Sequence, residues 1–123
     1  MKKFVALLLS MVLICLCISS AMAVSFSWTG SSTSFTRWSS SVKAQGNTWY
    51  ISWGDTNLSS TQKAAVKIYS APGVYASHTF YYSSESSASH SYLDSVTNST
   101  DVYLAGKKYS GSADLEVSGE FHP

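Results

Sequence analysis

The chain has 123 residues with a net charge of +1 and only 12% charged residues, so it is of single-domain length and lacks the surplus of one sign that draws proteins to nucleic acids or anionic membranes. Both cysteines, Cys15 and Cys17, fall within the first 23 residues, which excludes disulfides and thiolate metal sites from the rest of the chain. The four Trp and eight Tyr all lie beyond that point and argue against disorder, because each aromatic side chain can bury about 150–250 Å².

Lys2 and Lys3 open the chain, followed by a run from Phe4 to Ile18 that is apolar except for Ser10. Ala21 and Ala23 then stand at the −3 and −1 positions of a cleavage site, so residues 1–23 are expected to be a helical signal peptide. The run is shorter than the ~20 apolar residues a membrane span requires. Val12-Leu13-Ile14 before Cys15 and Leu16 before Cys17 do not fit a lipidation site. The expected product is a secreted, extracellular domain of residues 24–123, with no stable membrane insertion after cleavage.

From there the dominant period is two. Phe26 and Trp28 alternate with Ser25, Ser27 and Thr29 in a first strand closed by Gly30-Ser31-Ser32. An irregular segment carries Phe35, Trp38, Val42 and Ala44, and Gln45-Gly46-Asn47 reads as a turn. Thr48 to Trp53 is the clearest strand, with Trp49, Ile51 and Trp53 on one face and Thr48, Tyr50 and Ser52 on the other. Gly54-Asp55-Thr56-Asn57 is expected to open a loop reaching Thr61. Ala64, Val66 and Ile68 then alternate with Lys63, Lys67 and Tyr69, and Ala71-Pro72-Gly73 supplies turn chemistry. Val74 to Ser83 reads as one longer strand, Ser83 to Ser89 as a loop, and His90 to Leu93 as a short strand.

The last third reads as a hairpin: Asp101 to Ala105, a turn at Gly106-Lys107-Lys108, and a return from Tyr109 to Phe121. On the return, Ala113, Leu115, Val117 and Phe121 alternate with Asp114, Glu116, Ser118 and Glu120, as in an outer strand guarded by charge. Seven or eight short strands without a helix predict an all-β fold, a small antiparallel β-sandwich.

Catalytic signatures are weak. His78, His90 and His122 lack metal-ligand spacing, and no Gly-x-Ser-x-Gly elbow occurs. Asp114, Glu116 and Glu120 share a strand face at carboxylate separations that glycosidases use, but any acidic alternating strand does the same. The run from Asp55 begins like a calcium loop, yet it lacks the central glycine and has Val66 where the bidentate glutamate belongs. No enzyme activity and no cofactor are expected. With Lys107-Lys108 the sole adjacent basic pair after residue 23, nucleic acid is not an expected partner.

Outward-facing tyrosines are the stronger lead. Tyr50 lies opposite the Trp49 face, Tyr69 lies opposite Val66 and Ile68, and Tyr75 and Tyr81 share a face of the following segment. Tyrosine gives large contact area at small entropic cost and ends in a hydrogen-bonding group. Tyr50, Tyr69, Tyr75 and Tyr81 are therefore the candidate binding residues.

The leader, the absence of later cysteines and the Ser/Thr/Tyr-rich β pattern look like those of short exported Gram-positive proteins. Val102-Tyr103-Leu104-Ala105, with Val117-Ser118-Gly119-Glu120-Phe121, resembles the ending of geobacillin-like, bacteriocin-type secreted β proteins. The likeness covers the last fifth of the chain and carries over no functional residue. It implies antimicrobial or competitor-directed activity. With a net charge of −1 over residues 24–123, from six Lys and Arg against seven Asp and Glu, such activity would come from a folded domain rather than a cationic peptide. The resulting expectation is a non-catalytic interaction protein that binds a protein or glycan on a cell surface; the alternative is a glycan-binding module using exposed aromatics.

Overall fold

The computed structural model describes residues 23–123, so the expected signal peptide and Ala21 of its cleavage site lie outside the described residues; Ala23 is the first residue described. Ten strands follow: β1 (Val24–Gly30), β2 (Thr36–Arg37), β3 (Val42–Lys43), β4 (Thr48–Thr56), β5 (Lys63–Ala71), β6 (Val74–Tyr75), β7 (Phe80–Tyr82), β8 (His90–Ser91), β9 (Asp101–Ser110) and β10 (Leu115–His122). They form two antiparallel sheets. One has four strands in the order β1-β10-β4-β8; the other has six, with β2-β9-β5-β6 as its path, β3 also pairing with β9 and β7 with β5. The expected all-β sandwich is the observed architecture, with four two-residue strands raising the count above seven or eight.

Alternation builds the core. Trp49 and Ile51 of β4, Leu115, Val117 and Phe121 of β10, Val66 and Ile68 of β5, and Val102 and Leu104 of β9 are buried in one apolar cluster between the sheets. Aromatic packing supplies the volume that few aliphatics leave unfilled: Phe26 stacks on Trp38 at 5.9 Å, Trp28 on Trp38 at 5.4 Å, and Trp53 meets Tyr82 edge-on at 5.1 Å.

Several expectations from the sequence are corrected. Gly106-Lys107-Lys108 is not a turn: β9 runs straight through it to Ser110, and Gly106 is small because Trp38 lies where a side chain would project. β9 and β10 therefore do not form a hairpin; residues 111–114 carry the chain from one sheet to the other. Nor is β10 an outer strand. It lies between β1 and β4, and its carboxylates face solvent from the sheet surface rather than guarding an edge.

β4 also continues past Trp53 to Thr56, so Asp55 and Thr56 are strand rather than loop. A register shift between Val117 and Gly119 accommodates the extension. The Ser118 hydroxyl accepts from Asp55 N at 3.0 Å, and Asn57 clamps β10 by donating Nδ2 to Asp114 O and accepting Glu116 N on Oδ1.

The expected strand over Val74–Ser83 is two strands, β6 and β7, both lying along β5. Pro72-Gly73 forms the β5–β6 turn, with Gly73 at φ +75°, a value that matches the third position of a type II turn. The irregular segment before β4 holds β2 and β3. Both pair with β9, at Gly106 and Ala105 and then at Val102 and Asp101, so two extra residues loop out between them.

Candidate functional site: the outer face of the six-stranded sheet

On β5 the even-numbered residues Ala64, Val66 and Ile68 face the core, which turns Ala65, Lys67 and Tyr69 to the outer surface. On β9 the same rule turns Tyr103, Ala105, Lys107 and Tyr109 outward. Cross-strand register arranges them in rows. Tyr75, Tyr69 and Tyr103 form one row over β6, β5 and β9. Lys67, Ala105 and Arg37 form the next over β5, β9 and β2, and Tyr81, Ala65 and Lys107 the third over β7, β5 and β9.

The first row is a packed aromatic layer. Tyr69 stacks on Tyr103 at 5.6 Å with an interplanar angle of 10° and meets Tyr75 edge-on at 5.3 Å. Tyr69, Tyr103 and Ala105 make a second buried cluster, separate from the core, with Phe35 packed against it. Tyr69 is only 9% exposed, so it points outward as expected but serves as the floor of the face; Tyr75, Tyr81 and Tyr109, at 51%, 60% and 56%, are its accessible rings. Burial raises the Tyr69 pKa, and the neighbouring Tyr75 and Tyr103 phenols add to the effect.

Cations are fixed over these rings. The Lys67 ammonium lies 3.3 Å from the Tyr75 centroid, Lys107 lies 4.8 Å from that of Phe35, and the Arg37 guanidinium lies 4.4 Å from that of Tyr103. Arg37 also donates Nε to Ser39 O at 2.8 Å and Nη2 to Ser41 Oγ at 2.9 Å, leaving its other donors for a ligand. A groove of about 320 Å³ is bounded by Phe35, Arg37, Tyr69, Pro72, Tyr75 and Tyr103.

Charge is partitioned between the sheets. All six Lys and Arg from residue 24 onward (Arg37, Lys43, Lys63, Lys67, Lys107 and Lys108) belong to strands of the six-stranded sheet. Its strands hold one acid, Asp101, which Lys43 neutralises at 2.9 Å. Strands of the four-stranded sheet carry Asp55, Glu116 and Glu120 and no Lys or Arg.

Tyr50 does not join the other three tyrosines. It projects from β4 on the outer face of the opposite sheet, where its ring stacks on His122 at 4.2 Å, close to parallel. Sequence reasoning missed Arg37, Lys67, Lys107, Phe35, Tyr103 and Tyr109. The signal for Lys67 was its place between Val66 and Ile68; that for Lys107 was hidden by reading Gly106 as a turn residue.

The remaining candidates have local roles. His90 packs on Phe80 at 3.8 Å, and its Nε2 lies 2.9 Å from the Tyr82 hydroxyl; burial lowers the His90 pKa and pushes Tyr82 up to about 12. Glu116 and Glu120 are exposed on β10, while Asp114 accepts the Asn57 amide through its carbonyl. Among the described residues, no group of three or more His, Asp or Glu is placed to hold a metal ion. The stretches that resemble bacteriocin-type β proteins, 102–105 and 117–121, belong to β9 and β10, and Val102, Leu104, Val117 and Phe121 are buried in the core.

No family model matches the chain, and neither does any curated protein or solved structure.

Proposed function

We propose that this is a secreted, non-catalytic binding protein whose contact surface is the outer face of the six-stranded sheet, and that its partner is a glycan on a cell surface. The observation that carries this reading is the ordered row of Tyr75, Tyr69 and Tyr103 beside the row of Lys67, Ala105 and Arg37. Exposed rings next to fixed cations offer flat apolar area with directed hydrogen-bond donors, the combination a polar ligand with apolar ring faces requires.

A glycan suits this surface better than a protein partner does. Val74 is the sole exposed large aliphatic residue among those described, so the accessible apolar area of the face is made of tyrosine rings with polar tips, which suit the ring faces and hydroxyls of a sugar. Activity against competing cells, implied by the C-terminal resemblance, would follow from binding their surface glycan.

Retention on isolated cell-surface material tests the reading. The Tyr75→Ser/Tyr81→Ser protein should lose retention, and Tyr50→Ser should keep it. Equal retention of all three proteins, or loss with Tyr50→Ser alone, would overturn the assignment of the face.

A further inference from the structure

We infer that the ligand of this face is an acidic polysaccharide, one whose sugars carry carboxylate or sulfate groups. The inference rests on the binding reading above and adds the ligand's charge. Arg37 and Lys67 flank Ala105 in one row, and Lys107 follows diagonally on β9. None of the three is within salt-bridge distance of a carboxylate: among the described residues the Lys or Arg ion pair is Lys43–Asp101, at the far end of β9. Their charges are instead held over Tyr103, Tyr75 and Phe35, facing solvent.

Orientation strengthens the case. Hydrogen bonds to the Ser39 carbonyl and the Ser41 hydroxyl, with the Tyr103 ring beneath, hold the Arg37 fork in place before any ligand arrives, so binding does not have to order that side chain. A planar fork of this kind matches the two oxygens of a carboxylate or sulfate.

The number of cations separates an acidic glycan from a nucleic acid. Arg37, Lys67 and Lys107 would neutralise few phosphates, whereas nucleic-acid binding draws most of its affinity from many such contacts. A sugar chain presents apolar ring faces beside its acid groups, and Tyr75, Tyr81 and Tyr109 are exposed to meet them.

Titration calorimetry with the protein in the form its own cell leaves it tests the inference, using polygalacturonate, dextran sulfate, neutral dextran and a single-stranded oligonucleotide as probes. The expected result is binding to polygalacturonate, to dextran sulfate or to both, with the better of the two identifying the acid group. It should weaken at least tenfold between low and high salt, and at least tenfold in Lys67→Gln/Lys107→Gln with an unchanged circular dichroism spectrum. Arg37→Gln should also weaken it; because Arg37 braces residues 39–41, the lysine pair is the decisive variant. Dextran bound as tightly as the acidic chains, and lost in Tyr75→Ser but not in the lysine variant, would overturn the acidic ligand while sparing the face. Binding indifferent to both variants would overturn the face as well, and tighter binding of the oligonucleotide would overturn the glycan.

Discussion

Ile68 and Leu104 lie directly opposite each other on the central strands β5 and β9, and a buried serine hydroxyl accepts the backbone N–H of each: Ser77 Oγ for Ile68 and Ser39 Oγ for Leu104, both at 2.9 Å. The chain beside each strand departs from the ladder at that point, and the side chain stands in for the missing carbonyl. Ala76 N and Trp38 N donate back to the Ile68 and Leu104 carbonyls at 2.8 and 2.9 Å. The irregular segments on both flanks of the central pair thus leave neither of these two backbone N–H groups unpaired.

Removing either hydroxyl should therefore cost more than an average hydrogen bond, because the partner N–H stays buried. Ser77→Ala and Ser39→Ala are each expected to destabilise the fold by about 1–3 kcal/mol. Urea denaturation measures the loss, and amide exchange at Ile68 or Leu104 should quicken in the matching variant. Unchanged stability would show that the freed amide finds another acceptor.

Gly106→Ala tests the contact that keeps Gly106 small. A methyl there would overlap the six-membered ring of Trp38, which is buried and stacked on both Phe26 and Trp28. Overpacking of this kind typically costs about 1–3 kcal/mol. Thermal unfolding should show a clear drop, and near-ultraviolet circular dichroism should report a moved indole.

These positions mark what was legible in the sequence. Strict alternation disclosed β1, β5 and most of β4, because one face of each meets the core. The core aromatics Phe26 and Trp49 were legible for the same reason. Gly106 misled because a glycine beside two lysines reads as a turn, whereas here it makes room for a ring brought from 68 residues away in the chain. Two-residue strands such as β2, β3 and β6 are too short to show a period. The cation face was invisible because Arg37, Lys67 and Lys107 meet through register, and no local pattern joins them.

The Tyr82–His90 pair contributes to the pH dependence at both ends of the range. Burial lowers the His90 pKa from 6.5, so the unfolded chain takes up the proton first on acidification. Stability should be full above pH 6.5 and fall below it, and His90→Gln should flatten that part of the profile. Tyr82 acts at the other end: with its pKa raised from 10.0 to about 12, the stability it contributes is present below pH 10 and lost as pH rises towards 12. Urea midpoints across both ranges, for wild type and for His90→Gln and Tyr82→Phe, check each sign.

The stacked Tyr50–His122 pair supplies an internal control. It offers an aromatic surface of similar kind on the four-stranded sheet, where the strands carry carboxylates and no Lys or Arg. Tyr50→Ser should leave affinity for an acidic glycan within about twofold, because that face repels the ligand. Affinity measured by titration decides it, and a tenfold loss would move the site to this sheet.

Nuclear magnetic resonance titration with acidic oligosaccharide locates the contact surface directly. Shift changes should grow together at Arg37, Lys67, Tyr75, Ala105 and Lys107 and leave Tyr50, Ser52, Glu120 and His122 unmoved. Changes centred on the latter group, or none at saturating ligand, would contradict the proposed site.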